Sequence, residues 1–143
     1  MNPSEFSQFQ LDPYTKGIGG FILNAFDSSI ENEPEAKDFF IDQAMMMIDD
    51  VICDDKIIDL DALFLMACIK NIEDLVVFLV KKGANINARS KKNSTALMFT
   101  SHRGYYELTE YLIKKGIDVD AVNNDGNKAA SFCANDKIKE LID

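Results

Sequence analysis

The sequence contains no apolar run of about 18 residues, so it predicts no membrane-spanning helix. It begins Met1-Asn-Pro-Ser-Glu-Phe, without the basic start and the apolar stretch of a secretory signal. Its three cysteines, Cys53, Cys68 and Cys133, are odd in number and follow no disulfide or metal spacing. These absences predict reduced, mostly buried thiols in a cytoplasmic protein.

Motifs of catalysis and of cofactor binding are also missing. His102 is the only histidine, and neither Gly-x-Ser-x-Gly nor Cys-x-x-Cys occurs. The glycine-rich residues 17–20 look like a phosphate loop, but they lack a preceding strand and a Lys-Ser/Thr partner, so a flexible helix entry explains them better. One cluster of aspartates consists of Asp49, Asp50, Asp54 and Asp55. It lacks the ligand spacing and the central glycine of an EF-hand calcium loop. We therefore expect no enzyme activity, no bound metal and no cofactor.

Negative charge is concentrated in the first part of the chain. Residues 1–60 carry 13 acidic and 3 basic side chains, a net charge of −10, whereas residues 61–143 carry 11 acidic and 12 basic ones, a net charge of +1. Such acidity repels nucleic acids and anionic membranes and steers a cationic partner toward the protein. The alternative is a solvated face that only keeps the protein soluble.

A block of sequence recurs 33 positions later. Residues 79–88 align with residues 112–121, so that Leu79 matches Leu112 and Gly83 matches Gly116. The same offset relates the phenylalanines at positions 99 and 132. A fixed period of about 20–50 residues indicates an array of stacked repeats, each of which is one unit of secondary structure.

Each copy carries the signals of a helix pair. Gly83 and Gly116 each follow a Lys pair, which is typical of a helix that ends in the left-handed conformation. We predict first helices over residues 61–69 and 95–103, and second helices with an apolar stripe that includes Leu75 and Leu108. Because two short helices cannot bury this stripe alone, neighbouring pairs must stack.

The register of these residues resembles the ankyrin repeat. The resemblance rests on residues 93–97 (Asn-Ser-Thr-Ala-Leu), followed by Gly104, Leu108 and Gly116. It implies an all-α ankyrin-repeat solenoid of about three to four stacked helix-turn-helix repeats with an N-terminal helical cap. The cap spans residues 1–58, and the repeats span residues 59–91, 92–124 and 125–143, the last of them truncated.

Three residues depart from the family pattern. Ala96 stands in place of the usual Pro, Met98 in place of the usual His, and Lys128 in place of the Thr of the last repeat. We expect these changes to weaken the hydrogen bonds at the helix starts without shifting the register.

The repeat register fades before residue 59. We predict a short helix over residues 14–26, a polar connector over residues 27–33, and a longer helix from Pro34 to about Cys53 with Asn32 or Glu33 as its cap. Residues 42–48 align with residues 74–80, so the longer helix is interpreted as the second helix of a degenerate repeat. The three methionines at 45–47 are either a soft binding patch or core packing of this cap.

The resemblance also implies where a partner protein binds, since ankyrin proteins usually contact their partners through hairpin tips and the inner faces of the first helices. Phe99 and Phe132 lie either near that face or in the core. Tyr105 and Tyr106 either contact a partner or pack at a helix start. His102 either contacts a partner or is exposed without a role. The positions that this implies are Ile69, Lys70, Arg89, Lys91, Lys92, Ser94, His102, Arg103, Tyr105, Tyr106, Asn124, Asp125, Asn127, Asn135 and Asp136.

The short last repeat leads to a further expectation. Its second helix starts near Lys137 and the chain ends at Asp143, so part of the neighbouring apolar stripe should be exposed. Either this end frays, or a partner or a second copy covers it. The predicted function is non-catalytic protein binding. The chain is either an acidic stoichiometric inhibitor or immunity-type protein against a cationic toxin or enzyme, or an adaptor or secreted effector that binds a host or regulatory protein.

Overall fold

The computed structural model describes residues 13–25, 34–55 and 58–142. They form seven α-helices and one 3-10 turn, and no strand occurs within these ranges apart from one isolated bridge between Arg89 and Thr95. The helices are α1 (Pro13–Ala25), α2 (Pro34–Cys53), α3 (Leu60–Ile69), α4 (Glu73–Lys81), α5 (Ala96–Arg103), α6 (Tyr106–Lys114) and α7 (Asp136–Ile142), with the 3-10 turn at Ala129–Phe132. The all-α prediction is confirmed.

The helices are stacked in pairs. The first members of the pairs contact one another in sequence, from α1 to α3, from α3 to α5, and from α5 to the 3-10 turn. Among the second members, α2 packs on α4 and α6 packs on α7. The described residues therefore form a solenoid in which α1 and α2 pack on the first clear repeat, in the manner expected of a degenerate repeat. The division of the chain at residue 58 stays a prediction.

The 33-residue period is also present in the backbone conformation. Gly83 and Gly116 have φ angles of 107° and 89°, which confirms the left-handed helix ends predicted from sequence. Two further pairs with positive φ share the offset, Asn71 with Gly104 and Asn93 with Gly126. Asparagine is one of the few residues with a side chain that tolerate this conformation, so sequence differences at these positions do not change the path of the chain.

Two of the first helices start at a side-chain cap. The Asp59 carboxylate accepts a hydrogen bond from the Ala62 backbone N–H at 3.0 Å. The Thr95 hydroxyl accepts from the Met98 N–H at 3.4 Å, and the Met98 sulfur accepts from the Thr95 N–H at 3.4 Å. The start of α5 therefore keeps both capping bonds, but the bond to the Thr95 hydroxyl is long and a thioether sulfur is a weak acceptor. The expected weakening of this helix start stays a prediction.

The third of these starts behaves as expected. Lys128 makes no side-chain cap, and the chain forms only the short 3-10 turn at Ala129–Phe132 where the other repeats have an α-helix. Without a cap, the first N–H groups of a helix lack an intrahelical partner, which favours a short and poorly bonded turn.

Restoring the cap should stabilise this repeat. We expect Lys128→Thr to raise the free energy of unfolding by about 1 kcal/mol, the typical value of an N-cap hydroxyl, and to slow amide exchange in Ala129–Phe132. Urea denaturation and hydrogen exchange measure the two effects. Lys128→Ala is the matched control, because it removes the lysine without adding a hydroxyl; equal stability of the two variants would contradict the role of the cap.

The end of the stack differs from the sequence expectation. Leu108 and Leu112 on α6 are fully buried, as is Ile138 on α7, which packs against that helix. The truncated helix thus covers the apolar stripe that was expected to be exposed. The reason is that α7, although short, already packs on α6, and its residue Ile138 is fully buried. Self-association through this end stays a prediction, without the exposed stripe that motivated it.

The cap buries part of its methionine run. Met45 and Met47 pack against the core beside Ala44 and Ile48, but Met46 is 59% exposed. The Thr15 hydroxyl accepts a hydrogen bond from the Asp59 backbone N–H at 2.7 Å, which joins α1 to the start of α3. The predicted connector at residues 27–33, its capping residues and Phe26 lie outside the described residues.

Candidate functional site

An apolar pocket opens between α5 and the 3-10 turn of the last repeat. It has a volume of about 170 Å³ and is lined by Ser94, Met98, Phe99, His102 and Phe132. The rings of His102 and Phe132 meet edge to face, with centroids 6.3 Å apart. The pocket therefore has one wall from each of two successive repeats.

The repeat explains why these side chains meet. Phe99 and His102 are three residues apart on α5, so they lie on the same face of that helix. Phe132 is one period after Phe99, and stacking places it beside α5, where the 3-10 turn packs. The sequence left both phenylalanines either near the binding face or in the core, and it did not indicate Met98 as a wall of the pocket.

Charge around the pocket changes from one hairpin tip to the next. Lys91 and Lys92 are exposed on the first tip, and Arg103 is exposed at the end of α5. Asn124 and Asp125 are exposed on the second tip. The first tip thus carries positive charge, whereas the second carries polar and negative groups.

Arg89 braces two hairpins rather than standing free at a tip. Its Nη1 atom donates to the carbonyl oxygens of Asn93 at 3.1 Å and Val122 at 2.9 Å. The Asn124 backbone N–H donates to the Lys92 carbonyl at 3.0 Å, which adds a second link between the same hairpins. Arg89 therefore fixes the spacing of the tips, and its guanidinium is only partly available to a partner.

Several other predicted contact residues also have structural partners. Ile69 is only 2% exposed, and its carbonyl accepts a hydrogen bond from the Tyr105 hydroxyl at 3.3 Å. Asn135 caps α7, since its Oδ1 accepts from the Ile138 N–H at 3.0 Å. The Asn127 N–H donates to the Asn123 side chain at 3.1 Å. Direct contact by the Ile69 side chain is excluded in this conformation, because α3 is packed on all sides.

The structure separates the remaining candidates from the pocket. Tyr106 and Asn135 line a different depression of about 630 Å³ between α6 and α7. Lys70 lines a third, of about 270 Å³, with residues of α2 and α4. Asp136 is exposed in the first turn of α7. Of the predicted contact residues, Ser94 and His102 line the apolar pocket. Others lie on the hairpin tips or at the helix end of the same repeats: Lys91, Lys92, Arg103, Asn124 and Asp125.

The cysteines differ from their predicted burial. Cys68 is fully buried, and burial raises the pKa of its thiol. Cys133 is half-buried, and Cys53 is exposed at the end of α2, so the prediction of mostly buried thiols is wrong for Cys53. The three cysteines form no disulfide with one another.

The acidic cluster at the end of α2 does not gather into one site. Asp49 forms an ion pair with Lys82 at 2.7 Å, and Asp54 and Asp55 are exposed beyond the helix. Across the described ranges, no group of three or more potential ligands is placed to hold a metal ion. None of the helices in those ranges combines the length and apolarity that a membrane crossing requires.

Comparisons with known proteins agree with this architecture. A family model of ankyrin repeats, in three copies, matches residues 54–143. A similar solved structure is the ankyrin repeat domain of Bcl-3, a protein described as a unique member of the IkappaB family, with 25% sequence identity and a TM-score of 0.54. The match covers 55% of this chain and 35% of that one, so this chain spans about a third of the length of that domain. No curated protein matches.

Ankyrin repeats are generally protein–protein interaction modules, and the stacked helix pairs, the periodic left-handed positions and the family match all concern the same residues. The chain belongs to the ankyrin-repeat family.

Proposed function

We propose that this protein binds a partner protein along the groove side of its repeats, with one large apolar side chain of the partner seated between Phe99, His102 and Phe132. The observation that carries this proposal is the open apolar pocket shared by two repeats. Removing a large apolar side chain from water contributes about 1.5–3 kcal/mol, enough to make one residue an anchor of an interface.

The surrounding groups would orient such a partner. Lys92, two residues before Ser94, and His102 are exposed, and so are Asn124 and Asp125 on the next tip. These polar groups form the rim that typically surrounds an apolar anchor and excludes water from it. The hydrogen bonds of Arg89 hold the two tips at a fixed distance, which reduces the ordering needed on binding.

Within this class, the charge favours an acidic stoichiometric inhibitor or immunity-type protein. Such a protein would act in the cytoplasm against a cationic toxin or enzyme. The net charge of −9 would accelerate encounter with a cationic partner, even where the final contacts are apolar. An adaptor or effector that binds a host or regulatory protein would use the same groove, with the acidity incidental. The two readings differ in whether the activity of the partner falls at a 1:1 ratio.

Affinity purification from the native cell tests the proposal. We expect the wild-type protein to retain one stoichiometric partner, and His102→Asp to weaken that complex at least about tenfold, because a carboxylate at the pocket mouth would be desolvated by an apolar guest. Calorimetry with the purified partner measures the change.

The matched control is Glu107→Ala, an exposed position on α6 outside the pocket, which should leave the affinity unchanged. A complex that is insensitive to His102→Asp but lost on another surface would place the binding site elsewhere. Activity assays of the partner at increasing ratios then separate an inhibitor from an adaptor.

A further inference from the structure

The exposed side of helix α2 combines two large apolar side chains with a row of carboxylates. Phe39 is 58% exposed and Met46 is 59% exposed, although both lie in the middle of a long helix. We define the α2 face as the exposed residues Glu35, Asp38, Phe39, Asp42, Met46 and Asp50. No other helix of the described residues exposes two apolar side chains to this extent.

The helical period explains why these residues share one side. Phe39 and Met46 are seven residues apart, two turns of an α-helix, or about 10.5 Å along its axis. The buried residues Ala44 and Ile48 point the opposite way, into the packing against α1 and α4. An outer face of a terminal repeat is normally polar, because it meets water. A single exposed apolar side chain needs no explanation, but Phe39 and Met46 lie two turns apart on one side of the helix, among carboxylates.

The apolar pair is flanked by carboxylates that outnumber the nearby lysines, of which Lys37 and Lys70 line a depression together with Asp38. Asp38 and Asp42 lie beside Phe39 and continue into a crevice of about 420 Å³ that they share with Ile41, Met45 and Asp74. The ion pairs found between described residues include none of these aspartates, nor Glu35 or Asp50. The ion pair nearby joins Lys82 to Asp49, which is not part of the α2 face.

We propose that the α2 face docks a cationic amphipathic helix of a partner protein. Such a helix carries apolar residues at i, i+3, i+4 and i+7 and lysines or arginines along their edge. Its apolar stripe has the spacing of Phe39 and Met46, and its cationic edge complements Asp38 and Asp42. The same carboxylates disfavour nucleic acids and anionic membranes. This surface is separate from the groove pocket, so it goes beyond the proposed function and stands or falls independently of it.

The test uses the full chain and a fluorescent amphipathic peptide of lysine and leucine, about 18 residues or five turns long, with a second peptide in which glutamate replaces every lysine. We expect the lysine peptide alone to bind. The double variant Phe39→Ser/Met46→Ser should weaken binding at least about tenfold, as should Asp38→Lys/Asp42→Lys.

Two controls separate this face from the overall charge. Glu107→Lys/Glu140→Lys changes the net charge by the same amount as the aspartate reversal but lies on α6 and α7, and it should change the affinity less than about threefold. Raising the salt from about 0.1 M to about 1 M shortens the Debye length from roughly 10 Å to 3 Å, and should weaken binding without abolishing it, because the apolar contact remains.

Four outcomes overturn the proposal. The two peptides bind equally, or neither binds. The serine variant and the charge-matched control lose the same affinity, or affinity falls only in the groove variant His102→Asp. Analytical ultracentrifugation of the chain alone tests whether a second copy occupies the α2 face. A dimer that disappears in Phe39→Ser/Met46→Ser would assign the face to that second copy and overturn the proposal. Circular dichroism of each variant verifies that these exposed substitutions leave the helix content unchanged.

Discussion

Phe64→Ala should lower the free energy of unfolding by about 3–5 kcal/mol, the range found for deleting a buried aromatic ring. Phe64 is fully buried on α3, and every residue of that helix from Ala62 to Ile69 is buried as well. Helix α3 contacts α1 and α5 along the row and α4 within its own pair. A cavity there removes contacts from three neighbours at once, and stability of a domain is only about 5–15 kcal/mol.

Urea denaturation followed by circular dichroism measures this loss. Phe39→Ala is the matched control, because it removes the same ring from a site that is 58% exposed, and it should change stability by no more than about 0.5 kcal/mol. Losses of similar size in the two variants would contradict the central position of α3, as would a loss below about 1 kcal/mol for Phe64→Ala.

Gly104→Val should lower stability by about 3 kcal/mol through two separate effects. The residue has φ of 78° and ends α5 in the left-handed conformation, which costs a residue with a side chain about 1–2 kcal/mol. A Cβ atom here would also lie 3.3 Å from the Cβ of Ala134, so the last repeat would have to move. Overpacking of this kind typically costs a further 1–3 kcal/mol.

Gly83→Val separates the two effects. Gly83 also has a positive φ, 107°, but a Cβ at that position meets nothing within 4 Å. We therefore expect a smaller loss, of about 1–2 kcal/mol, from the backbone alone. The difference between the two denaturation curves measures the contact between Gly104 and Ala134, and identical losses would show that the last repeat yields without resistance.

Sequence patterns were sufficient for the local features of the fold. Helix α2 extends from Pro34 to Cys53 as predicted, because proline starts a helix and the apolar positions keep a helical period. The left-handed residues Gly83 and Gly116 were also predicted, since both follow a helical stretch that ends in lysines. These features depend on residues within one or two turns of each other.

The roles of individual site residues depend on contacts between distant parts of the chain. Arg89 was predicted to contact a partner, but its guanidinium reaches the Val122 carbonyl, 33 residues away, because stacking brings the hairpins together. The hydroxyl of Tyr105 reaches the carbonyl of Ile69 in the same way. A periodic sequence shows that such residues are equivalent between repeats, but it does not show which neighbours their side chains reach.

In the proposed binding mode, the shared walls of the apolar pocket couple recognition to the integrity of the C-terminal end. Phe99 and His102 belong to a capped helix, whereas Phe132 belongs to the uncapped 3-10 turn, the shortest helical element of the described residues. A guest held between them binds only molecules in which that turn is formed, so it raises the population of the ordered end by mass action. The affinity of the protein for such a guest and the fraying of its last repeat are then two readings of a single equilibrium.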